Sequence, residues 1–400
     1  MRLGIDGSNL RGGGGVTHLV ELLSAAQPQE HGIGRVVVWG GRDLLQQIPE
    51  RSWIEKAPVA PFDRSLPARL YWQQVRLPSL AARACELLFV PGGNYRGSFR
   101  PVVTMCRNLL PFEEREIRRY GLSPRYWKLR LLRWGQSQTF RRVDGVIFLT
   151  AHARSVILGR LSEPPRTSTI IGHGLDGRFR FPPRPQRSME AFSENAPFRL
   201  LYVSTVDFYK HQWHVATAVA RVRERGLPVA LDLVGPSYDP ALRRLTDALA
   251  RLDPRGACLR YLGAVAYSGL PAIYRQADAF VFASSCENMP NILLEAMAAG
   301  LPIACSRRGP MPEILGEGGV YFDPESPEEM AEVLRDFLLN PAARQRCASA
   351  AFERSQVYSW RRCADETFAF LAGVARNSLR GTMPTSETGQ GSGARTASSI

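Results

Sequence analysis

The chain has 400 residues, which is the size of two or three domains, and 44% of them are hydrophobic. This composition excludes disorder throughout, and no stretch reaches the roughly 18 consecutive apolar residues that cross a bilayer. The formal net charge of +14 predicts an anionic surface or ligand as a partner.

The first residues do not resemble a secretion signal, because a charge at Asp6 and a run of glycines stand where such a signal has its apolar core. We therefore expect a cytoplasmic protein. The seven cysteines contain no C-x-x-C pair, and no histidine cluster has the spacing of metal ligands. They indicate neither a disulfide framework nor a structural zinc site.

The chain then alternates short apolar, β-branched runs with helical periodicity, which is the pattern of βα units on a parallel sheet. The first strand leads into the loop Gly12 to Gly15, where backbone N–H groups can approach a phosphate or sugar at a helix start. A flexible turn is the alternative. Strands are predicted in the first half at Leu3–Asp6, Val36–Trp39, Leu87–Val90, Val102–Met105, Val146–Leu149 and Thr169–Ile171, with helices at Thr17–Ala25 and His152–Leu161.

All of the charge excess lies in this half. Residues 1–190 contain 29 Lys and Arg against 15 Asp and Glu, whereas residues 191–400 contain 22 of each. The excess is densest from Arg107 to Arg142, where basic residues alternate with Tyr, Trp and Leu. Such a pattern suits an anionic membrane surface or nucleic acid, and the alternative is a solvated helical face.

The Pro-rich segment 181–197 predicts a structureless linker, after which the βα pattern restarts. The sequence thus predicts an N-terminal domain at 1–180, a C-terminal domain at 198–357, a last helix at 358–376 and a disordered tail at 377–400. Predicted strands of the second half are Leu200–Ser204, Ala230–Val234, Leu259–Leu262, Ala279–Ala283 and Ile303–Ser306, and predicted helices are His214–Arg225, Pro240–Leu252, Asn291–Ala299, Pro327–Leu339, Pro341–Arg354 and Trp360–Arg376.

Two loops of the second half carry candidate chemistry. Lys210, one of only three lysines in the sequence, follows a strand and is a candidate point charge for a diphosphate; a solvent-facing lysine is the alternative. Glu287 precedes a helix that Pro290 opens and Gly300 closes, and Glu295 lies inside that helix. Carboxylates at these places can accept sugar or ribose hydroxyls while the free amides hold phosphate oxygens.

Glu287 and Glu295 form an E-x7-E pattern followed by an A-M-A-x-G-x-P run, and with it the chain resembles the retaining glycosyltransferases of family 4, of the type that builds bacterial surface polysaccharides. The likeness runs over nearly all of residues 1–376. It implies the GT-B fold, in which two Rossmann-like α/β domains face each other across a cleft and the C-terminal helix crosses back to the first domain.

The resemblance also implies roles for individual residues. Lys210 and Glu287 are the expected catalytic residues, and Glu295 is expected to hold the donor ribose. The other expected donor contacts are Gly14, Gly15, Thr205, Gly263, Val265, Asn288, Met289, Asn291 and Ile292. On the acceptor side the expected residues are Arg107, Asn108 and His173.

Three positions depart from the family pattern. Thr205 stands where the family usually has an arginine, five residues before its lysine. The family run E-G-F-G is replaced by Glu287-Asn288-Met289-Pro290. A histidine of the acceptor side is missing, and Cys106-Arg107-Asn108 takes its place.

The resemblance implies transfer of a hexose from a UDP- or GDP-linked sugar to a glycan or lipid-linked glycan, with retention of configuration. No D-x-D motif appears where a metal would be needed, so neither a metal nor a cofactor is expected. Anionic membrane is the expected surface partner, at the inner face of the cell membrane, and nucleic acid is not. The alternatives are a sugar-nucleotide epimerase or phosphorylase on the same fold, or a basic adaptor without catalysis.

Overall fold

The structure, a computed structural model, describes residues 1–10, 13–59 and 71–381. Its strands form two separate parallel sheets, which confirms the prediction of two α/β domains. The first sheet contains β1 (Arg2–Asp6), β2 (Arg35–Gly40), β3 (Ile54–Pro58), β4 (Leu87–Val90), β5 (Val102–Met105), β6 (Gly145–Phe148) and β7 (Ser168–Ile170). The second contains β8 (Phe198–Val203), β9 (Val229–Val234), β10 (Leu259–Tyr261), β11 (Ala279–Phe282), β12 (Ile303–Ser306) and β13 (Gly319–Phe322).

Helices follow most strands and cover the sheet faces, as βα units require. Those of the first domain are α1 (Gly14–Ala25), α2 (Arg42–Gln47), α3 (Leu77–Ala84), α4 (Glu114–Arg118), α5 (Pro124–Arg142) and α6 (Ala151–Leu158). Those that follow are α7 (Gln212–Glu224), α8 (Asp239–Leu252), α9 (Leu270–Gln276), α10 (Asn291–Ala298), α11 (Met311–Leu315), α12 (Pro327–Leu339), α13 (Pro341–Ser355) and α14 (Trp360–Gly381).

Both sheets are doubly wound. The strand orders are β3-β2-β1-β4-β5-β6-β7 and β10-β9-β8-β11-β12-β13, so the order reverses between β1 and β4 and between β8 and β11. Open α/β sheets bind ligands outside the carboxyl ends of the strands at such a reversal. The glycine loop after β1, the Lys210 loop after β8 and the Glu287 loop after β11 therefore lie at the two reversal points.

Helix α14 packs on the first domain, as expected from the GT-B fold. Arg361 pairs with Glu30 at 2.9 Å, and the ring of Phe370 lies 3.1 Å from the place a Cβ on Gly145 would occupy. The helix ends at Gly381 rather than at Arg376, so the disordered tail was predicted to begin too early. Gly373 lies within the helix without ending it, and no proline occurs between Trp360 and Gly381. The remainder of the predicted tail, 382–400, lies outside the described residues.

Residues 181–197, for which a structureless linker is predicted, contain no α-helix and no named strand, but they are held against the second domain. The N–H of Phe181 donates to the carbonyl of Ala298 at 2.9 Å, and residues Met189–Ala191 form a 3-10 turn. The fully buried guanidinium of Arg344 donates to the carbonyl of Arg187. Side-chain donors thus pair the carbonyls of a segment whose prolines cannot form a strand ladder, and they fix it to the second domain.

Candidate active site

Backbone hydrogen bonds join the two loops that carry Lys210 and Glu287. The N–H of Ser285 donates to the carbonyl of Tyr209 at 2.8 Å, and the Ser285 hydroxyl lies 3.0 Å from Nε2 of His211. His211 has a φ of 54°, in the left-handed region that non-glycine residues rarely adopt. These bonds hold the turn after Lys210 against the loop after β11.

Lys210 and Glu287, which are 77 positions apart in the sequence, form an ion pair in the cleft. Nζ of Lys210 donates to Oε1 of Glu287. The rings of Tyr209 and Phe282 lie 5.0 and 5.4 Å from Nζ, and the lysine is 6% exposed. A phosphate that takes this ammonium group from Glu287 leaves the carboxylate without its cation, and the carboxylate can then accept hydrogen bonds from hydroxyl groups of a ligand.

Glu295 lies on α10 and is 3% exposed. Burial raises the pKa of its carboxyl group to about 7, and hydrogen bonds from Tyr274 and Tyr267 oppose this shift. The Tyr274 hydroxyl donates to Oε2 at 3.0 Å. Near neutral pH the group therefore changes between a carboxyl and a carboxylate, and only the carboxylate can accept two ribose hydroxyls at once. The sequence analysis identified neither tyrosine, because both are distant from the E-x7-E motif. Tyr274 lies on another helix, α9, and Tyr267 lies just before that helix.

A cavity of about 180 Å³ lies between the domains. It brings Arg107 and Asn108 of the first domain together with Glu287, Asn288 and Met289 of the second. The remaining lining residues are Leu109, Leu110, Tyr209 and Cys286. Tyr209 and Cys286 were not predicted, although each is adjacent in sequence to a predicted catalytic residue.

The Asn288-Met289 dipeptide contacts the first domain directly. Nδ2 of Asn288 donates to the carbonyl of Cys106 at 2.9 Å, and Oγ1 of Thr150 donates to the carbonyl of Asn288 at 3.0 Å. The N–H of His173 donates to Sδ of Met289 at 3.1 Å. Oδ1 of Asn288 is buried and has no hydrogen-bond donor among the described residues.

His173 is buried against a second histidine that sequence analysis did not single out. Its Nδ1 lies 3.0 Å from Nδ1 of His18 on α1, and the ring of Trp360 is 5.5 Å from that of His18. Burial lowers the pKa of His173 to about 3, and it lowers that of His18 well below its usual value. Nearby Arg107 contributes to both shifts, so both rings are neutral at physiological pH.

Comparison with known proteins shows a family that the second domain resembles. Residues 186–354 match the family model described as Glycosyl transferases group 1. These residues are therefore similar to a glycosyl transferases group 1 domain. O-antigen chain mannosyltransferase B of Escherichia coli is 31% identical over 124 residues, which are 30% of this chain and 32% of that protein. Glycogen synthase of Mycobacterium tuberculosis is 29% identical over 236 residues, 58% of this chain and 55% of that protein.

The chain thus spans about a third to a half of the length of the curated relatives it matches. Among solved structures, HepE of Anabaena in complex with UDP-glucose superposes with a TM-score of 0.65 and 18% identity, over 95% of this chain and 100% of that one. At this identity the likeness concerns the fold, and it confirms the GT-B architecture of two facing Rossmann-like domains.

In the second domain, several predicted donor residues do not line the cavity. Gly263 makes the turn after β10 at a φ of 73°, and Val265 is 37% exposed in the same loop. Thr205 is exposed in the loop after β8. Asn291 and Ile292 form the first turn of α10. The roles expected for these residues remain predictions.

The run Gly12 to Gly15 after β1 contains three described glycines, and their positions differ in whether they require glycine. Gly13 precedes α1 with a φ of 61°, which favours glycine. A Cβ on Gly14 would contact nothing within 4 Å, whereas one on Gly15 would lie 2.4 Å from Nη1 of Arg107. Gly12 lies outside the described residues.

Part of the basic segment 107–142 pairs with the second domain instead of facing solvent. Arg119 and Arg115 bind the carboxylate of Glu325 at 2.7 and 2.9 Å. Arg125 and the hydroxyl of Tyr120 bind the buried carboxylate of Asp207 at 2.6 and 2.7 Å. The first arginines of this segment are thus paired within the molecule, because the facing domain supplies acidic partners.

Within the described ranges, no group of three or more His, Cys, Asp or Glu side chains is arranged to hold a metal ion. None of the helices described is both long and apolar enough to span a bilayer.

Proposed function

We propose that the protein is a retaining glycosyltransferase that moves a hexose from a nucleotide diphosphate sugar to a hydroxyl group of a glycan or lipid-linked glycan. The observation that carries this proposal is the meeting of Lys210 and Glu287 at the strand-order reversal of a glycosyl transferases group 1 domain. An O-antigen mannosyltransferase among the relatives and a UDP-glucose complex among the similar folds support the choice of substrates.

In this proposal each charged group has a distinct task. Glu295 accepts the ribose hydroxyls, and Glu287 with the first amides of α10 holds the donor sugar. Lys210 balances the diphosphate as the bond from the anomeric carbon to its oxygen breaks through an oxocarbenium-like state. The acceptor oxygen bonds to the same face of the sugar, and its proton passes to the departing phosphate. No cofactor is needed for these steps.

The cleft must open for the donor to enter. The cavity beside Glu287 measures about 180 Å³. Pockets that bind drug-sized ligands measure about 300 to 1,000 Å³, so this cavity is too small for a nucleotide diphosphate sugar. We infer that donor binding follows separation of the two domains, and that closure around the donor then excludes water from the reacting bond.

Binding of the donor nucleotide is the first test. A ligand at 100 times its Kd stabilises the native state by about 2.7 kcal/mol, so a screen of UDP, GDP, ADP and CDP should raise the melting temperature for one base. Release of the nucleoside diphosphate only when an acceptor is present then distinguishes transfer from epimerisation. Release that consumes inorganic phosphate instead of an acceptor would favour a phosphorylase.

We further propose that the first domain contacts the inner face of the cell membrane through α5. Trp127, Leu131 and Trp134 lie at positions i, i+4 and i+7 of that helix, on one face, and are 59, 62 and 52% exposed. Exposed aromatic residues beside basic ones are typical of helices that lie in a membrane interface. This surface is more apolar than a nucleic-acid groove requires, and we do not propose nucleic acid as a partner.

A basic groove of about 380 Å³ adjoins Trp134. Arg130 and Arg133 in this groove share a single carboxylate, Glu114, with Arg118. Three guanidinium groups on one carboxylate leave a surplus of positive charge at the surface. The other residues that line the groove are Ser137, Gln138, Arg141, Arg160, Leu161 and Ser162. This surplus, together with the exposed tryptophans, is complementary to anionic lipid.

A further inference from the structure

The donor diphosphate of the proposed transferase carries more charge than Lys210 supplies. Lys210 is already paired with Glu287, and the position five residues before it is the uncharged Thr205, which is exposed. A second cation therefore has to reach the phosphates from another part of the cleft. Among the residues that line the cavity beside Glu287, Arg107 is the one cation described.

Arg107 follows β5, and its side chain reaches the start of α1 in the same domain. Its guanidinium group lies against Gly15, where a Cβ would be 2.4 and 2.5 Å from Nη1 and Nη2. Glycine at position 15 thus makes room for this side chain. The same residue lines the cavity opposite Tyr209 and Glu287, so it faces the second domain's catalytic loops.

The guanidinium group lacks an anionic partner in this arrangement. Among the described residues, no hydrogen-bond acceptor or carboxylate pairs with Arg107, and burial lowers the pKa of its side chain. Its neighbours His18 and His173 are neutral, and the amino end of a helix dipole repels a cation. A partly buried cation at such a place is unfavourable unless an anion binds beside it.

A second unpaired group in the same cavity also indicates a ligand. Oδ1 of Asn288, a residue that is 6% exposed, has no donor among the described residues. Nδ2 of the same side chain is held by the carbonyl of Cys106 at 2.9 Å, which fixes the amide. Two residues that line the cavity thus have an unpaired polar group, the cation of Arg107 and the buried acceptor of Asn288.

We propose that Arg107 is the second phosphate-binding cation of the donor site, and that it supplies from the first domain the charge that Thr205 does not supply from the second. This inference rests on the proposed function. It makes the diphosphate a bridge, with Lys210 on one side of the cleft and Arg107 on the other, so that donor binding and domain closure are coupled.

The test compares a nucleoside diphosphate with its monophosphate by titration calorimetry, using the base that most stabilises the unaltered protein. We expect Arg107→Ala to weaken diphosphate binding on the order of ten- to a hundredfold, and monophosphate binding much less. Arg107→Lys should fall between Arg107→Ala and the unaltered protein. Arg83→Ala, at the far end of α3 before β4, is the matched control and should change neither affinity.

Gly15→Ala provides a second variant, because its methyl group would displace the guanidinium without removing it. The same selective loss for the diphosphate is expected. Unchanged preference for diphosphate over monophosphate in both variants would overturn the role of Arg107 while leaving the proposed function intact. Failure of the unaltered protein to bind either nucleotide would overturn both.

Discussion

A single carboxyl group sets the expected pH dependence of donor binding. Glu295 has a pKa of about 7 because it is buried, well above the usual 4.5. Ribose hydroxyls donate hydrogen bonds, so they bind the carboxylate and not the protonated acid. Donor affinity should therefore be lost as the pH falls through 7 and be regained above it.

We expect nucleotide affinity to rise up to about tenfold from pH 6 to pH 8, the change in the ionised fraction of a group with a pKa of 7. Titration calorimetry at the two pH values measures it. The Glu295→Gln variant is the control for the titration of the phosphate groups of the nucleotide. Its nucleotide affinity should depend less on pH, because the variant has no carboxyl group at position 295. Equal pH dependence in both proteins would contradict the ribose-binding role.

Lys210 lies in a narrow, aromatic environment, which favours one conformation of its side chain. Lys210→Ala should lower turnover on the order of ten- to a hundredfold, the effect of losing a charged hydrogen bond. Lys210→Arg should lose less, because the charge remains, and Thr205→Arg should partly rescue Lys210→Ala. Initial rates of nucleoside diphosphate release measure these effects. Lys56→Ala, remote from the cleft, is the matched control, and wild-type turnover of Lys210→Ala would contradict the assignment.

At the scale of elements, helix α5 has two kinds of surface. One end pairs with the facing domain through Arg125, while its middle presents Trp127, Leu131 and Trp134 beside basic residues. The sequence alone does not separate the two, since both carry arginine and aromatic side chains. The acidic partners Asp207 and Glu325 are distant in sequence and become visible only in the structure.

We predict reversible binding to vesicles that contain anionic lipid, measured by co-sedimentation and weakened by salt. A double variant, Lys128→Gln with Arg130→Gln, should weaken the free energy of vesicle binding by about 2 kcal/mol. Each basic residue near an anionic membrane surface contributes about 1 kcal/mol. Trp127→Ala with Leu131→Ala should weaken vesicle binding as well. Arg243→Gln with Arg251→Gln, exposed on α8, is the charge-matched control. Equal binding to neutral vesicles would contradict a contact that depends on charge.

Sequence patterns predicted the central strands and the outer strands β7 and β10, and missed the outer strands β3 and β13. Central strands of a parallel sheet are buried on both faces, so they appear as continuous apolar runs. The two missed strands are edge strands with mostly half-exposed residues, and they give no such run. The E-x7-E spacing located Glu287 and Glu295, but the partners Tyr274 and Arg107 depend on how separate βα units meet.

For the whole molecule, the cleft is closed by contacts from several elements. The carboxylate of Glu313 accepts hydrogen bonds from the N–H groups of Ala151 and His152 at 2.7 and 2.9 Å, and so caps α6 from the other domain. Arg125 binds Asp207 across the same cleft and lies 4.3 Å from the ring of Tyr238. These contacts are polar, as is common in interfaces whose domains move relative to each other, and aromatic contacts such as that of Tyr120 with Tyr238 accompany them.

Arg125→Ala should favour the open arrangement, because it removes a charged contact worth on the order of 1 kcal/mol at this exposure. Small-angle scattering without nucleotide should show a larger radius of gyration, and a saturating nucleoside diphosphate should reverse the change. Arg118→Ala is the matched control, since Arg118 pairs with Glu114 inside the first domain. A radius that is unchanged in Arg125→Ala would mean that this contact does not hold the cleft closed.

The most direct test of the account is acceptor-dependent release of nucleoside diphosphate from a panel of UDP-, GDP- and ADP-hexoses, with lipid-linked glycans as acceptors. We expect release from donors of one base, only with acceptor, and a reduction on the order of ten- to a hundredfold in Glu287→Gln. The anomeric configuration of the product, read by NMR, should equal that of the donor. No release from any donor, or equal release by the Glu287→Gln variant, would contradict a glycosyltransferase that works through this cleft.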